Sequence, residues 1–332
     1  MRLGAHPILF ESGELGGRLR SQPFEGATDI VAELGGMRFP VSGTGFYHYA
    51  DMLGLETKPF PNPMTPAAGS TVIDLEGETH YAETMADLPP LFHEVAAAYD
   101  QALEEGARFS DLKAAIRAKD RARIKEIWNP LLRDWDERTF YDFITTSPAF
   151  QRLSFRHREV FGQVGFGTGG WDSDCPNSML EILRVNVTDC DSNQQFFVGG
   201  VERLPQGLWR QPTDGKGYWP AGTSLQSLNS GATRPGATRI HRADRGRIAV
   251  TDRWGRTEEF DAVIATCQSW LLTTAIDTEE ALVSQKLWMA LDRTRYMQSS
   301  KTFVMVDRPF WKDRDPKSGR YPLSMTLTDR LT

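Results

Sequence analysis

Two short stretches carry residue types that suit phosphate or carboxylate chemistry. The first begins at Glu11, an acid that ends the apolar run Ile8-Leu9-Phe10, and continues to Gly16-Gly17-Arg18. An acid at the end of a buried strand can accept both hydroxyls of an adenosine ribose. Two glycines let a backbone approach a ligand closely, and the guanidinium beside them can pair bidentately with phosphate. The second stretch, Gly35-Gly36-Met37-Arg38, repeats the arrangement. A formal GxGxxG also exists, Gly165-Phe-Gly167-Thr-Gly-Gly170. It is followed by Trp171-Asp-Ser-Asp-Cys-Pro176, where two acids would repel a diphosphate and a proline would interrupt the helix that should receive it. The match reads as a pocket-lining loop rather than a phosphate site. Trp171 in it either walls an aromatic pocket or belongs to a core.

These groups need elements to hold them. Residues 8–10 read as a buried strand leading into a tight loop, and 32–40 as a second glycine-rich turn. From 84 to 128 the pattern is helical. Leu88, Leu91, Phe92, Val95, Ala98, Tyr99 and Ala102 form one apolar face, and Ser110 suits the N-cap of a second helix running to 128. The cations of that helix, from Lys113 to Lys125, are interleaved with acids and no aromatic platform, which favours a solvated face over a nucleic-acid surface. Helices are expected over 139–146, 148–161, 177–188 and 278–291. Strands are expected over 239–242, 247–251, 262–266 and 301–306. The Gly-, Pro-, Ser- and Thr-rich run 204–236 reads as long loop. Strand-and-glycine segments thus flank a helical insertion, which predicts an α/β nucleotide-binding unit interleaved with a mostly helical one.

Composition narrows the class. The chain has 332 residues, enough for about two domains, with 40% hydrophobic and 25% charged residues and a net charge of −6. That balance disfavours disorder and a polybasic nucleic-acid surface. Three scattered cysteines make no CxxC pair, and the histidines show no metal spacing, so no metal site is expected. Serine-nucleophile motifs are absent. No apolar run reaches the length of a membrane span, and a reducing, cytoplasmic setting is expected.

Several segments together carry a family resemblance. Phe10-Glu11 with Gly16-Gly17-Arg18-Leu-Arg-Ser21 resembles the second-strand ending and GGR segment of the FAD-dependent amine oxidase superfamily. Ala32-Glu-Leu-Gly-Gly-Met-Arg-Phe-Pro40 resembles the flavin-facing loop of its amino-acid oxidases and monooxygenases. The 166–174 loop, Ser178-Met-Leu-Glu-Ile-Leu-Arg184 and Gly199-Gly-Val-Glu-Arg-Leu-Pro205 are similar to the bacterial tryptophan 2-monooxygenase group. Ser300-Lys301-Thr-Phe-Val and Arg308-Pro-Phe-Trp311 resemble the segment with the superfamily's flavin-side lysine.

The resemblance implies a mixed α/β fold. A Rossmann-like FAD-binding domain (1–50 and 195–270) would interleave with a helix-rich substrate domain (51–194 and 271–332). Glu11 would hold the adenosine ribose, and Arg18 would face the pyrophosphate, with Gly16 and Gly17 giving close approach. Gly35, Gly36 and Met37 would run beside the isoalloxazine. Arg38 would clamp the substrate α-carboxylate so that the α-C–H points at the flavin. Ala237 would offer its backbone to adenine. Lys301, where buried, would have a lowered pKa and hold a water near the flavin. Trp171 would wall an aromatic substrate pocket. FAD is the implied cofactor, and the implied partners are an L-amino acid, most closely L-tryptophan, and molecular oxygen. Neither nucleic acid nor membrane is implied, and a homodimer is left open. Glu11 and Arg38 would serve one cleft. The superfamily's first strand with its GxGxxG is expected ~20 residues before such an acid, and only ten residues precede Glu11. A C-terminal stretch that completes the flavin site has no counterpart either. The chain is therefore expected to be a fragment that binds FAD weakly or not at all, with little activity.

Overall fold

The computed structural model describes residues 1, 3–164, 177–294, 296, 300–321 and 325–328. The chain divides into two compact units. The first comprises Met1–Met37, His48–Glu56 and Val198–Gln298, and the second Arg38–Tyr47, Thr57–Phe197 and Ser299–Thr332.

In the first unit, a short parallel pair joins Phe10–Glu11 to Arg234–Pro235. The expected strand over 8–10 shrinks to this because a side chain replaces part of the ladder. Asn229, 1% exposed, accepts from Leu9 N–H at 3.0 Å through Oδ1 and donates through Nδ2 to Pro7 and Leu225 carbonyls at 3.1 and 2.8 Å. Ser21–Phe24 and Ala27–Glu33 form an antiparallel hairpin. A four-stranded sheet runs in the order Thr257–Phe260, Ile248–Asp252, Ala237–Arg242, Asp277–Thr278, antiparallel except for the last pair. Ile240, Ala249 and Val250 supply its core.

Several expectations fail in this unit. Residues 262–266 are not a strand, and Ile264 is 87% exposed. β-branched residues favour strands only where a neighbour supplies the ladder, and no pairing reaches them among the described residues. The run expected as loop holds two helices, Arg203–Arg210 and Leu225–Leu228. Pro205 lies in the first turn of the former, where a missing N–H is harmless. Ser224 and Ser227 cap the latter reciprocally. The last helix starts late, at Gln285–Arg293, where Ser284 Oγ accepts from Leu287 N–H at 3.2 Å.

The second unit is the helical one. Pro90–Ala107 buries Phe92, Val95, Ala98 and Ala102, as its spacing predicts. These last three pack with Phe140, Phe143, Phe150 and Phe161 in one apolar core. The expected second helix is two, Phe109–Ala118 and Arg121–Trp135. Lys119 breaks it with φ +56, and Asp120 caps the second by accepting from the N–H groups of Ala122 and Arg123. Two of its cations sit in close ion pairs. Arg123 meets Asp111 and Glu126 at 2.7 and 2.6 Å, and Lys113 meets Asp189 at 2.6 Å. The 148–161 helix is likewise split, into Pro148–Gln151 and Phe155–Val164, and Met179–Val187 follows.

Two small sheets that periodicity did not reveal complete this unit. One pairs Thr71–Leu75 with Glu78–Ala82 and Met325–Thr328. The other pairs Thr57–Pro59 with Gln195–Phe197, extended by a bridge between Phe39 and Gln195. Residues 301–306, expected as strand, are irregular, with Val304 78% exposed. No helix among the described residues is long and apolar enough to cross a membrane.

Candidate functional site

In the first unit, the two glycine stretches lie side by side. Gly36 N–H donates to the Arg18 carbonyl at 2.8 Å, and Leu34 N–H to the Arg20 carbonyl at 3.0 Å. The approach is so close that a Cβ on Gly35 would stand 1.8 Å from the Arg18 carbonyl oxygen. Only glycine fits there. Gly16 adopts φ +107, and a Cβ on it would meet Pro205 at 2.8 Å. Gly16, Gly17, Arg18, Gly35, Gly36 and Met37 therefore share one locale, held backbone to backbone.

Glu11 ends its strand half-buried, and its Oε1 accepts from Gly13 N–H at 2.9 Å. Its parallel partner is Pro235, and the following Gly236 packs against Ser12 so tightly that a Cβ would come within 2.6 Å of the serine Cβ. Ala237 opens the next strand, so Glu11 and Ala237 belong to the same corner of the unit. The Arg18 guanidinium has no hydrogen-bond or ion-pair partner among the described residues. It is within electrostatic reach of Tyr296, whose hydroxyl is held by Ser269 N–H and Oγ, both at 2.9 Å. The Ser269 bonds first, and Arg18 after them, hold the Tyr296 hydroxyl below its ordinary value. This set fits a dinucleotide: a guanidinium on a glycine cradle and one oxygen of a strand-end carboxylate, neither with a partner among the described residues.

Arg38 opens the second unit, and the division falls between it and Met37. Its Nη1 donates to Asn62 Oδ1 at 2.9 Å, and its guanidinium lies over Phe60 at 5.4 Å. Asn62 Nδ2 in turn donates to Gln194 Oε1 at 2.9 Å, and Gln194 Nε2 to the Cys190 carbonyl at 3.0 Å. This relay fixes both amides and one edge of Arg38. The edge made by Nε and Nη2 has no partner among the described residues. Asp191 is close enough to feel Arg38. The protein packed around it pushes its carboxyl up, and Arg38 draws it partly back. Asn62, Gln194 and Phe60 escaped the reading of the sequence. For Phe60 and Asn62 the only signal was their aromatic and polar types beside Pro61 and Pro63, and Gln194 had none.

Lys301 is exposed and irregular here, so its expected burial is not met. Trp171 and the 165–174 loop lie outside the described residues. No cluster of three or more His, Cys, Asp or Glu among the described residues could hold a metal ion.

A strand-end acid, a paired-glycine cradle and an arginine with no partner among the described residues thus lie in one α/β unit. The profile "Flavin containing amine oxidoreductase" matches residues 2–331. The chain belongs to the flavin-containing amine oxidoreductase family, an oxidoreductase family whose cofactor is FAD. It is 26% identical over 324 residues to the tryptophan 2-monooxygenase of Agrobacterium vitis, covering 92% of this chain and 41% of that protein. It is equally 26% identical to the tryptophan 2-monooxygenase of Pantoea agglomerans pv. gypsophilae, covering 94% of this chain and 57% of that one. The chain thus spans about half the length of these relatives. Among solved structures, cyclohexylamine oxidase from Brevibacterium oxydans superposes with a TM-score of 0.55 at 15% identity, covering 86% of this chain and 56% of that one. Putrescine oxidase bound to putrescine gives a TM-score of 0.53 at 18% identity, covering 80% and 52%. These two likenesses establish the amine oxidase fold and nothing finer.

Proposed function

We propose that this chain carries the ribose, pyrophosphate and substrate-carboxylate contacts of an FAD-dependent enzyme that oxidises an L-amino acid. The substrate we favour is L-tryptophan, converted by oxidative decarboxylation to indole-3-acetamide. Glu11 accepts from the adenosine ribose hydroxyls. Arg18 donates to the pyrophosphate, with Gly16 and Gly17 allowing close approach. Gly35, Gly36 and Met37 border the isoalloxazine, and the Ala237 backbone meets adenine. Arg38 clamps the α-carboxylate, which fixes the direction of the α-C–H. Lys301 orders a water. Bound FAD supplies the two-electron acceptor.

The observation that carries an amino-acid substrate over a plain amine is Arg38. One nitrogen is tied to Asn62 and the ring face of Phe60 backs the guanidinium, while the Nε–Nη2 edge lacks a partner among the described residues. That edge is the one a carboxylate takes with two parallel hydrogen bonds, and a plain amine has nothing to offer it. Tryptophan rests on the names of the relatives, which share that activity at 24–26% identity.

The test supplies the purified chain with excess FAD, L-tryptophan and oxygen, and measures flavin binding, oxygen uptake, peroxide and amide. Saturable but weak flavin binding, with any oxygen consumed appearing as indole-3-acetamide, supports the proposal. Peroxide with the imino acid's hydrolysis product would make the chain part of an L-amino-acid oxidase instead. Absence of saturable binding of both FAD and its ADP half overturns the cofactor contacts.

A further inference from the structure

The turn Gly199-Gly-Val-Glu202 stands out in the sequence but takes no part in the chemistry above. In the first unit it is locked to the open end of the Ser21–Phe24/Ala27–Glu33 hairpin. Ser21 N–H donates to Glu202 Oε2 at 3.1 Å, and Glu202 N–H donates back to Ser21 Oγ at 3.2 Å. Ser21 Oγ donates to Glu33 Oε2 at 2.7 Å, and Val201 N–H donates to Glu33 Oε1 at 2.8 Å. Gln206 donates to the remaining Glu202 oxygen. Gly200 makes the approach feasible, with φ +98 and a Cβ position 2.6 Å from Ser21 Oγ.

The location of this lock gives it meaning. Ser21 and Glu33 are register partners, and the chain immediately outside them is Arg18–Arg20 on one side and Leu34–Gly36 on the other. Those are the two segments that grip each other backbone to backbone. Pro205, three residues beyond Glu202, presses on Gly16. All four oxygens of Glu33 and Glu202 are taken by local donors, and the Arg18 guanidinium has no partner among the described residues.

We propose that Glu202 and Glu33 are positioning residues for the cofactor's pyrophosphate contact. They hold the 16–20 and 34–36 segments in register, so that Arg18 is presented by its backbone rather than by a side-chain partner. This rests on the reading that Arg18 meets the pyrophosphate.

The test compares Glu202→Ala with Glu202→Gln in the full chain. Glutamine keeps one oxygen to accept from Ser21 N–H, and its NH₂ can face a flipped Gln206 amide. Two readouts are taken: amide exchange at Leu34 and Gly36, and FAD affinity from flavin fluorescence. Loss of hydrogen bonds to charged groups should speed exchange and weaken FAD by about tenfold or more in the alanine variant. The glutamine variant should restore both readouts to near wild type, which a purely electrostatic role would not. Should Glu202→Ala not fold, Ser21→Ala removes two other bonds of the same lock, from Ser21 Oγ to Glu33 and from Glu202 N–H to Ser21 Oγ, without a charge change and carries the same expectation. Wild-type exchange and FAD affinity in the alanine variant would overturn the proposal. Absence of saturable binding of both FAD and its ADP half by the wild-type chain would instead overturn the cofactor reading, and the exchange comparison would still decide whether the acids hold the segments.

Discussion

Substituting Gly35 by alanine forces apart two glycine stretches that are joined backbone to backbone. The new Cβ would lie 1.8 Å from the Arg18 carbonyl oxygen, 2.6 Å from its carbon and 3.0 Å from Arg20 N. All three are backbone atoms, so no side chain can swing aside. Restoring an ordinary C···O contact requires the segments to part by about 1.5 Å. The Gly36–Arg18 bond would then stretch from 2.8 Å to about 4.3 Å, beyond hydrogen-bond reach. The Leu34–Arg20 and Gly35–Arg20 bonds, at 3.0 and 3.3 Å, would go with it. At roughly 1 kcal/mol net each, three lost bonds give a destabilisation of about 3 kcal/mol, in the range of other overpacked sites. Gly17→Ala is the control. It has φ +53 but nothing within 4 Å of its Cβ, so only left-handed strain of about 1–2 kcal/mol applies. Urea unfolding followed by fluorescence measures both, with site-resolved amide exchange at Gly36 alongside. A Gly35→Ala variant no less stable than Gly17→Ala, with a Gly36 amide still protected, would refute the close approach.

Three other outcomes are expected. Asn229→Ala should cost about 2–4 kcal/mol in thermal or urea unfolding, because it strands the Leu9 N–H and Pro7 carbonyl that the buried amide serves; a change below 0.5 kcal/mol, roughly the size of a surface substitution, would show that the plug is dispensable. Arg38→Gln should weaken L-tryptophan binding about 10- to 100-fold while leaving tryptamine, which lacks the carboxylate, unchanged in a titration followed by NMR; equal losses for both ligands would remove Arg38 from carboxylate recognition. Stability should fall on acidification. Arg314 holds Glu83 low, Thr84 N–H holds Asp87 low, and Arg108 and Arg138 do the same for Asp111 and Asp142. A carboxyl whose folded pKa is depressed adds stability above its unfolded pKa near ~4 and loses it as pH falls through the folded value. Melting temperatures should therefore drop between about pH 5 and 2. Asp191, pushed up, works the other way. A melting temperature that holds or rises on acidification would contradict the assignment.

What the sequence disclosed follows from the range of the forces involved. The Pro90–Ala107 helix was readable because a 3.6-residue apolar period is a local signal, and its buried face matches the spacing. The glycine-arginine stretches were readable because close backbone approach and anion binding tolerate few residue types. Their mutual contact was not, since it depends on how the hairpin between them closes. The 262–266 run shows the opposite failure. Its β-branched residues promise a strand, and strand formation is decided by a partner elsewhere in the chain. The Arg203–Arg210 helix was hidden because Pro205 and Gly207 read as loop residues out of context. Asn62 and Gln194 were invisible because a hydrogen-bond relay between residues 132 apart leaves no periodic trace.

The measurement that bears most directly on the central claim compares ADP with adenosine as ligands of the intact chain and of its Arg18→Ala variant. If Arg18 on its paired-glycine cradle meets a diphosphate, wild type should bind ADP more tightly than adenosine, and the variant should lose that preference while keeping its adenosine affinity. Equal affinities for the two ligands in the wild-type chain, or a preference for ADP that survives the substitution, would contradict it.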